Sequence, residues 1–554
     1  MDPNAEDRPP QVELVEVDVE VSPEVPSSPR VNEKERVYPS QPVLDIPSSS
    51  SIFRAALPHD EPPDPERTQQ QQEEEFQRKL RGEYEAAQRR VSDVVTGNMH
   101  RPLRLSSIRL SPQPSSTRTS YLNSLLSPFI SPSHHPWMPK WLYPAPPPPG
   151  TLHEVLLTTR ALMHHLDKIG IFDVDQSGVR LEPKRGGEED EVELVLALKE
   201  RSRLFFKAGT EVGGGEGGGT VTARIRNAFG GAESLEANAS IGTKTKSSYQ
   251  VMFNSPILAS PLLSFALSAF SLDRDNTAFA SHREAAGGGR ANLSAIAPWG
   301  RHDLTYEYIQ RDITHLSPTA SVSIRELAHP STKSSLIHTW TSDTRDDPWT
   351  GTSGRLLKFS HEYSGLPGSS QFAHFFKSTT QSQLSRALHT GSNIHYSVSS
   401  LTTLLLPLYS RTSSADGHPP VTYLPDRTYL GGPNSVRGWK VGGLGRRDGP
   451  DSLGGDLAWG LGLSVFAPIP KKEHWPLKLH SFLNIGKVVG YDTNRSFSEN
   501  MGRLYRSPNL SVGLGLMYRL DPIRIELNFT LPLVGRKNER LSRGLGVGVG
   551  VEFL

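Results

Sequence analysis

"SRGLGVGVGVEFL" occupies residues 542–554. Leu545, Val547, Val549, Val551 and Phe553 share one parity, and Gly544, Gly546, Gly548 and Gly550 share the other. A period of two scatters apolar groups around a helix but gathers them on one face of a strand. The stretch therefore predicts a strand that is apolar on one side and bare of side chains on the other until Glu552.

The same alternation recurs upstream. In "IRIELNFTL" (523–531), Ile523, Ile525, Leu527, Phe529 and Leu531 oppose Arg524, Glu526, Asn528 and Thr530. "NLSVGLGLMYRL" (509–520) sets Leu510, Val512, Leu514, Leu516 and Tyr518 on one side. "DLAWGLGLSVFA" (456–467) does the same with Leu457, Trp459, Leu461, Leu463 and Val465. Runs of about 9–11 residues fit a tilted membrane-crossing strand, whereas soluble strands are typically nearer 5–6. Residues 204–554, 351 in number, hold about sixteen such segments, with weaker ones near 234–243, 332–342 and 393–406. No convincing helix is expected there. That spacing suits an outer-membrane-type barrel. A soluble sandwich would have to bury the polar face of every strand.

Composition agrees. Hydrophobic residues make up 35% of the 554. No uninterrupted apolar run reaches the 18 or so residues of a spanning helix; the most apolar window, 255–272, is broken by Pro256, Pro261 and several serines. With no cysteine, disulfides and thiolate metal sites are excluded. His164 and His165 are neighbours and cannot converge from one helix face. The carboxylates of "SDTRDDP" (342–348) read as a turn with internal salt bridges rather than a cation site. No nucleophile–base–orienter set is visible, so we expect no enzyme, metal, cofactor or nucleic-acid partner.

Residues 1–76 carry 18 acidic and 6 basic side chains, a net charge of −12 against +1 for the whole chain. Residues 1–74 read as a disordered acidic arm. Residues 75–100 read as an amphipathic helix and linker, with Phe76, Leu80, Tyr84, Ala87 and Val91 at helical spacing. Residues 101–202 read as a small α/β domain in the order β-α-α-β-β: a strand at 103–110, a helix at 116–128 ended by Pro128, a proline-rich insertion, a helix at 151–169 stopped by Gly170, and strands near 178–182 and 191–199. The N-terminus has no secretory signal and is too acidic for a mitochondrial presequence.

"YLGGPNSVRGWKVGGLG" (429–445) is the most specific stretch. Gly431, Gly432 and Gly438 allow a sharply folded loop around Val436, Arg437 and Trp439. A phosphate loop would need Gly-Lys-Ser/Thr entering a helix; here a strand follows. "LGGPNSVRGW" instead resembles the Val-Arg-Gly-Phe/Tyr loop of the barrel-assembly and two-partner-secretion outer-membrane proteins. "SDTRDDPWTGTSG" (342–354) resembles a turn of the same superfamily, "DPIRIELNFTLPL" (521–533) its penultimate strand, and the 101–202 module its polypeptide-transport-associated (POTRA) domain. One module and no signal make the chain most similar to the central barrel subunits of the mitochondrial sorting and assembly machinery.

The resemblance implies a mainly β fold: a sixteen-stranded transmembrane antiparallel barrel over 203–554, preceded by one POTRA domain. It implies a place in the mitochondrial outer membrane with the N-terminus in the intermembrane space. The expected clients are unfolded β-barrel precursors. Further expected partners are metaxin-like subunits on the cytosolic side, intermembrane-space chaperones and membrane lipid. A catalyst of barrel insertion must lend a sheet edge, because unpaired strands in lipid leave backbone groups unsatisfied. The glycines of the last strand weaken its packing. We therefore expect a lateral gate between the first strand (Leu204, Phe205, Phe206, Lys207, Gly209) and the last (Gly546, Gly548, Gly550). Ser542, Gly544, Val547 and Val549 also match the insertion signal of mitochondrial barrel substrates, so a client strand could exchange with the last strand. The resemblance puts Arg437 in the lumen, paired to a wall carboxylate. "FLNIG" carries Asn484 where bacterial relatives often have Asp, leaving Glu526 and Asp456 as candidate partners. A passive diffusion channel, a plastid-envelope relative and a soluble all-β protein are the alternatives.

Overall fold

A computed structural model describes residues 92–131, 149–213, 216–347, 352–366, 372–389, 393–408, 422–472, 475–520 and 523–550, with isolated residues between 77 and 90 and at 139 and 141. The acidic arm, the apolar stripe Phe76–Val91, most of the proline-rich insertion and Val551–Leu554 lie outside the described residues. Residues 92–97 are helical.

The first unit is a three-stranded sheet with two helices: β1 (Arg104–Leu110), α1 (Thr119–Ile130), α2 (Leu152–Ile169), β2 (Gly178–Pro183) and β3 (Glu191–Ala197). β3 lies centrally, parallel to β1 and antiparallel to β2. α2 starts where the Thr151 side chain accepts from Glu154 N and stops at Gly170, whose φ of 79° a Cβ would disfavour. Its stripe Val155, Leu162 and Leu166 closes on Leu122, Leu125 and Leu126 of α1 and on Ile108, Leu194 and Leu196 of the sheet. One sequence expectation fails here. Pro128 does not end α1, which runs on to Ile130, because Leu125, Leu126 and Phe129 are buried on both sides of it.

The second unit is one antiparallel sheet of sixteen strands. In chain order these begin with β4 (Leu204–Gly213), β5 (Glu216–Arg226), β6 (Ser234–Gly242), β7 (Thr245–Pro256) and β8 (Leu263–Asp275). They continue with β9 (Arg283–Ala297), β10 (Gly300–Thr314), β11 (Ser331–Asp343), β12 (Gly354–Ser364), β13 (Phe375–Ala387) and β14 (His395–Pro407). A hairpin of β15 (Arg446–Asp448) and β16 (Asp451–Gly454) stands apart from the wall. β17 (Leu457–Pro468), β18 (Leu477–Val489), β19 (Asn509–Leu520), β20 (Ile523–Val534) and β21 (Gly544–Gly550) complete it. Burial is inverted relative to a soluble sheet. On β20, Leu527, Phe529 and Leu531 are 44%, 55% and 46% exposed, while Arg524, Glu526, Asn528 and Thr530 are buried. An apolar exterior around a polar lumen is the pattern of a transmembrane barrel.

Three short helices break the expectation of an all-strand region: α3 (Thr277–Ala280), α4 (Val322–Leu327) and α5 (Phe497–Tyr505). α5 carries a capping box, Ser496 with Glu499, a signal readable in "SFSE". Its Leu504 and Met501 cover Leu457, Trp459 and Val489, outward-facing wall residues at the strand ends. α3–α5 all stand at the end of the barrel away from the α/β unit. The opposite end receives that unit: Arg118 pairs with Glu233 at 2.5 Å, Asn227 Nδ2 donates to Thr117 Oγ1 at 2.9 Å, and Ala259 joins the unit's core.

Candidate functional site

The connection from β14 to β17 folds back into the barrel, and its residues 422–456 fill part of the lumen. Gly431, Gly432 and Gly438 have φ of 109°, 118° and 95°, the left-handed region that suits glycine. At Gly438 a Cβ would also stand 3.0 Å from Ser511 Cβ. Val436 is fully buried against Gly486 of β18, where an added Cβ would come within 2.8 Å of it. Trp439 is buried, and its Nε1 donates to Glu539 at 3.2 Å.

These turns deliver Arg437 to the wall, 2% exposed. Its Nε and Nη2 donate to Glu526 Oε2 at 3.1 and 2.9 Å, and Nη1 donates to Asn484 Oδ1 at 3.2 Å. The guanidinium also lies 4.8 Å over the Phe482 ring. Arg524 Nη2 donates to the other oxygen, Glu526 Oε1, and Asn528 Nδ2 donates to Oε2 at 2.7 Å. His480 is stacked on Phe466 and bonded to Asn528 and Ser464, with Nδ1 3.8 Å from Glu526. Glu526 is thus a buried carboxylate shared by two guanidiniums, Arg437 on one oxygen and Arg524 on the other, through charge-assisted hydrogen bonds.

Asp456 does not meet Arg437. It sits at the strand start, accepting from Thr422 Oγ1 at 2.7 Å and from Tyr491 N at 2.9 Å. Its parity is inward, but it stands six residues up the wall from Gly462, the β17 partner of Asn484 at the Arg437 level, and parity does not encode that distance. The "SDTRDDP" turn has Arg345 forked on Asp343. Among the described residues no cluster of metal-ligating side chains occurs.

At the sheet's ends, β4 pairs only with β5 and β21 only with β20. Among the described residues no ladder joins β4 to β21, although the two strands approach each other. Leu204 and Phe206 are 73% and 71% exposed, and Leu545 and Val547 face outward. A Cβ added at Gly209 or Gly544 would meet nothing within 4 Å. The lumen loop holds the last-strand side: Asn434 Nδ2 donates to Val549 O at 2.8 Å, and Ser542 N donates to Gly438 O at 2.8 Å.

A family model, the Omp85 superfamily domain, matches residues 227–553. The chain belongs to the Omp85 superfamily. It is similar to the SAM50-like protein of Schizosaccharomyces pombe, 31% identical over 84% of this chain and 94% of that one. It is also similar to the human sorting and assembly machinery component 50 homolog, 28% identical over 73% of this chain and 84% of that one. These relatives identify the branch as that of the central barrel subunits of the sorting and assembly machinery. In fold the chain resembles the crystal structure of BamA from Haemophilus ducreyi lacking POTRA domains 1-3, with a TM-score of 0.63, 14% identity, and 81% and 84% of the two chains covered.

Sequence reasoning missed the second anchor of this Omp85 loop. Asp426 forms a bidentate pair with Arg311 of β10 at 2.6 and 3.0 Å, both buried, and Lys377 Nζ donates to Asp426 O at 2.8 Å. Arg311 was readable as an inward position of β10. "LPDRT" (424–428) gives no sign that its aspartate turns to the wall.

Proposed function

We propose that this chain inserts and folds β-barrel precursors into the mitochondrial outer membrane through an opening between β4 and β21. The Omp85 family and the sorting and assembly machinery relatives support barrel assembly in that membrane as the general function. The observation that carries the finer reading is the absence, among the described residues, of any ladder between the first and last strands of an otherwise continuous sixteen-stranded sheet. An edge held only by proximity can be lent to a client strand, and backbone pairing then satisfies groups that lipid cannot.

In this reading the client's terminal strand takes the place of β21. Residues 542–549 resemble the client signal, and Gly546, Gly548 and Gly550 offer little packing to displace. The 101–202 unit acts as a POTRA domain in the intermembrane space, receiving precursors from chaperones. Metaxin-like subunits bind on the cytosolic side. Arg437 and Glu526 keep the lumen loop in register behind the seam. A lumen partly filled by an anchored loop argues against a passive channel.

Single cysteine pairs, one in 204–210 and one in 545–549, test the reading, since the native chain has none. They should crosslink at rest, and each half should crosslink to an arrested porin precursor. A permanent crosslink that leaves client insertion at the wild-type rate would refute it. Arg437→Ala should still reach the membrane but insert clients poorly.

A further inference from the structure

At the barrel end away from the α/β unit, a cavity of about 440 Å³ opens between the lumen loop at 445–447, the strand end at 488–490, α5, and the 535–543 connection. Arg446, Arg447, Arg503, Arg536 and Lys537 line it. Its one carboxylate, Glu539, is already used by Asn509 Nδ2 at 2.9 Å, Trp439 Nε1, Gly445 N and Arg536 N. Among the described residues no carboxylate lies within ion-pair distance of Arg446, Arg447, Arg536 or Lys537. Arg447 Nη1 is buried without a hydrogen-bond partner. Arg503 lies 3.9 Å from Asp492, and the cavity's other four cations face the single carboxylate Glu539; a concave site with that excess of positive charge attracts an anion.

The surroundings say which anion. α5 is clamped on the outer wall: Lys487 Nζ donates to the carbonyls of Arg503, at 2.6 Å, and of Arg506. The helix leaves Phe497 and Tyr505 half exposed, carries Arg503 in its last turn and is followed by Arg506. Aromatic side chains with basic neighbours on an outward-facing amphipathic helix mark the level of lipid headgroups. The cavity therefore stands at the rim where the barrel meets the leaflet on that side.

We propose that this cavity binds the phosphate of an acidic phospholipid, seating a lipid beside the last four strands. The proposal requires that the barrel lie in a bilayer, and is independent of whether β4 and β21 open to clients.

The test uses the full chain, purified and returned to vesicles of zwitterionic lipid alone or with phosphatidylinositol, with retained lipid counted by native mass spectrometry. Arg536→Gln with Lys537→Gln removes two cations that make no ion pair among the described residues. It should weaken phosphatidylinositol retention on the order of thirtyfold. Arg180→Gln with Arg185→Gln, the same charge change on the α/β unit, should leave retention unchanged. Heat-modified gel mobility verifies that each variant folds. Equal losses in the two double variants would overturn the proposal. So would full displacement of the lipid by inorganic phosphate, which would make the ligand a free ion. Capture of polyglutamate by the wild type with no preference for phosphatidylinositol would also overturn it and assign the cavity to an acidic protein segment.

Discussion

Replacing Glu526 by glutamine should harm the barrel more than removing Arg437, although the two are partners. The fixed charges buried at this point of the wall are Arg437, Arg524 and Glu526. Their sum is one positive charge. Arg437→Met leaves Arg524 paired with Glu526, a neutral couple still supported by Asn528 Nδ2 at 2.7 Å. Glu526→Gln leaves two guanidiniums facing one neutral amide. Breaking a buried pair from one side costs about 3–5 kcal/mol when a charge is left uncompensated. Loss of hydrogen bonds to a charged group without that penalty costs about 1.5–3 kcal/mol. The expected order is therefore Glu526→Gln worst, by about 2 kcal/mol. The double variant leaves Arg524 facing a neutral amide and should fall between the singles rather than at their sum. Urea unfolding of the full chain in detergent reads this through tryptophan fluorescence, with Trp439 reporting the loop. Should Arg437→Met prove equal to or worse than Glu526→Gln, the carboxylate is not the hub of the cluster and the charge argument fails.

Asn434→Ala removes the lumen loop's donor to Val549 O, a loss of about 1 kcal/mol; amide exchange across 545–549 should quicken, and unchanged exchange would show that the loop does not restrain the last strand. Gly438→Ala places a Cβ against Ser511 on left-handed backbone and should cost about 1–3 kcal/mol, read as a lower urea midpoint with the loop displaced. In the α/β unit, burial pushes His165 down from 6.5 to about 4. The fold therefore favours its neutral form. That contribution, at most about 3 kcal/mol, is complete above pH 6.5 and is lost as pH falls through 4. Protease sensitivity of the unit within the full chain should rise over that interval, and His165→Gln should flatten the rise.

The barrel was legible because alternation is local: the inward and outward sets of β17, β19 and β20 follow from parity alone. Parity also named Glu526, but it named Asp456 equally, since it fixes which way a side chain points and not how far along the barrel it stands. Depth depends on shear between strands, which sequence spacing does not record. α5 was missed although "SFSE" caps it, because a nine-residue helix between two strong strands reads as connection. The Asp426–Arg311 pair was out of reach for a related reason: its partners are 115 residues apart and only the folding back of a long loop brings them together.

The anchors of that loop are not spread evenly around the barrel, and this bears on how a seam could open. Arg437 ties the loop to β18 and β20, Asn434 and Gly438 tie it to β21 and the turn before it, and Asp426 ties it to β10 and β13. None of these anchors touches β4–β7. Those strands are held from the other end, where Asn227, Gly230 and Glu233 of the β5–β6 turn and Ala259 of the β7–β8 turn grip the α/β unit. The two sides of the seam are therefore fastened to different bodies, the last strands to the lumen loop and the first strands to the α/β unit. On the proposed opening, a shift of the α/β unit relative to the loop would be transmitted through the well-paired strands on either side and taken up between β4 and β21, which share no ladder among the described residues and whose glycines would resist least.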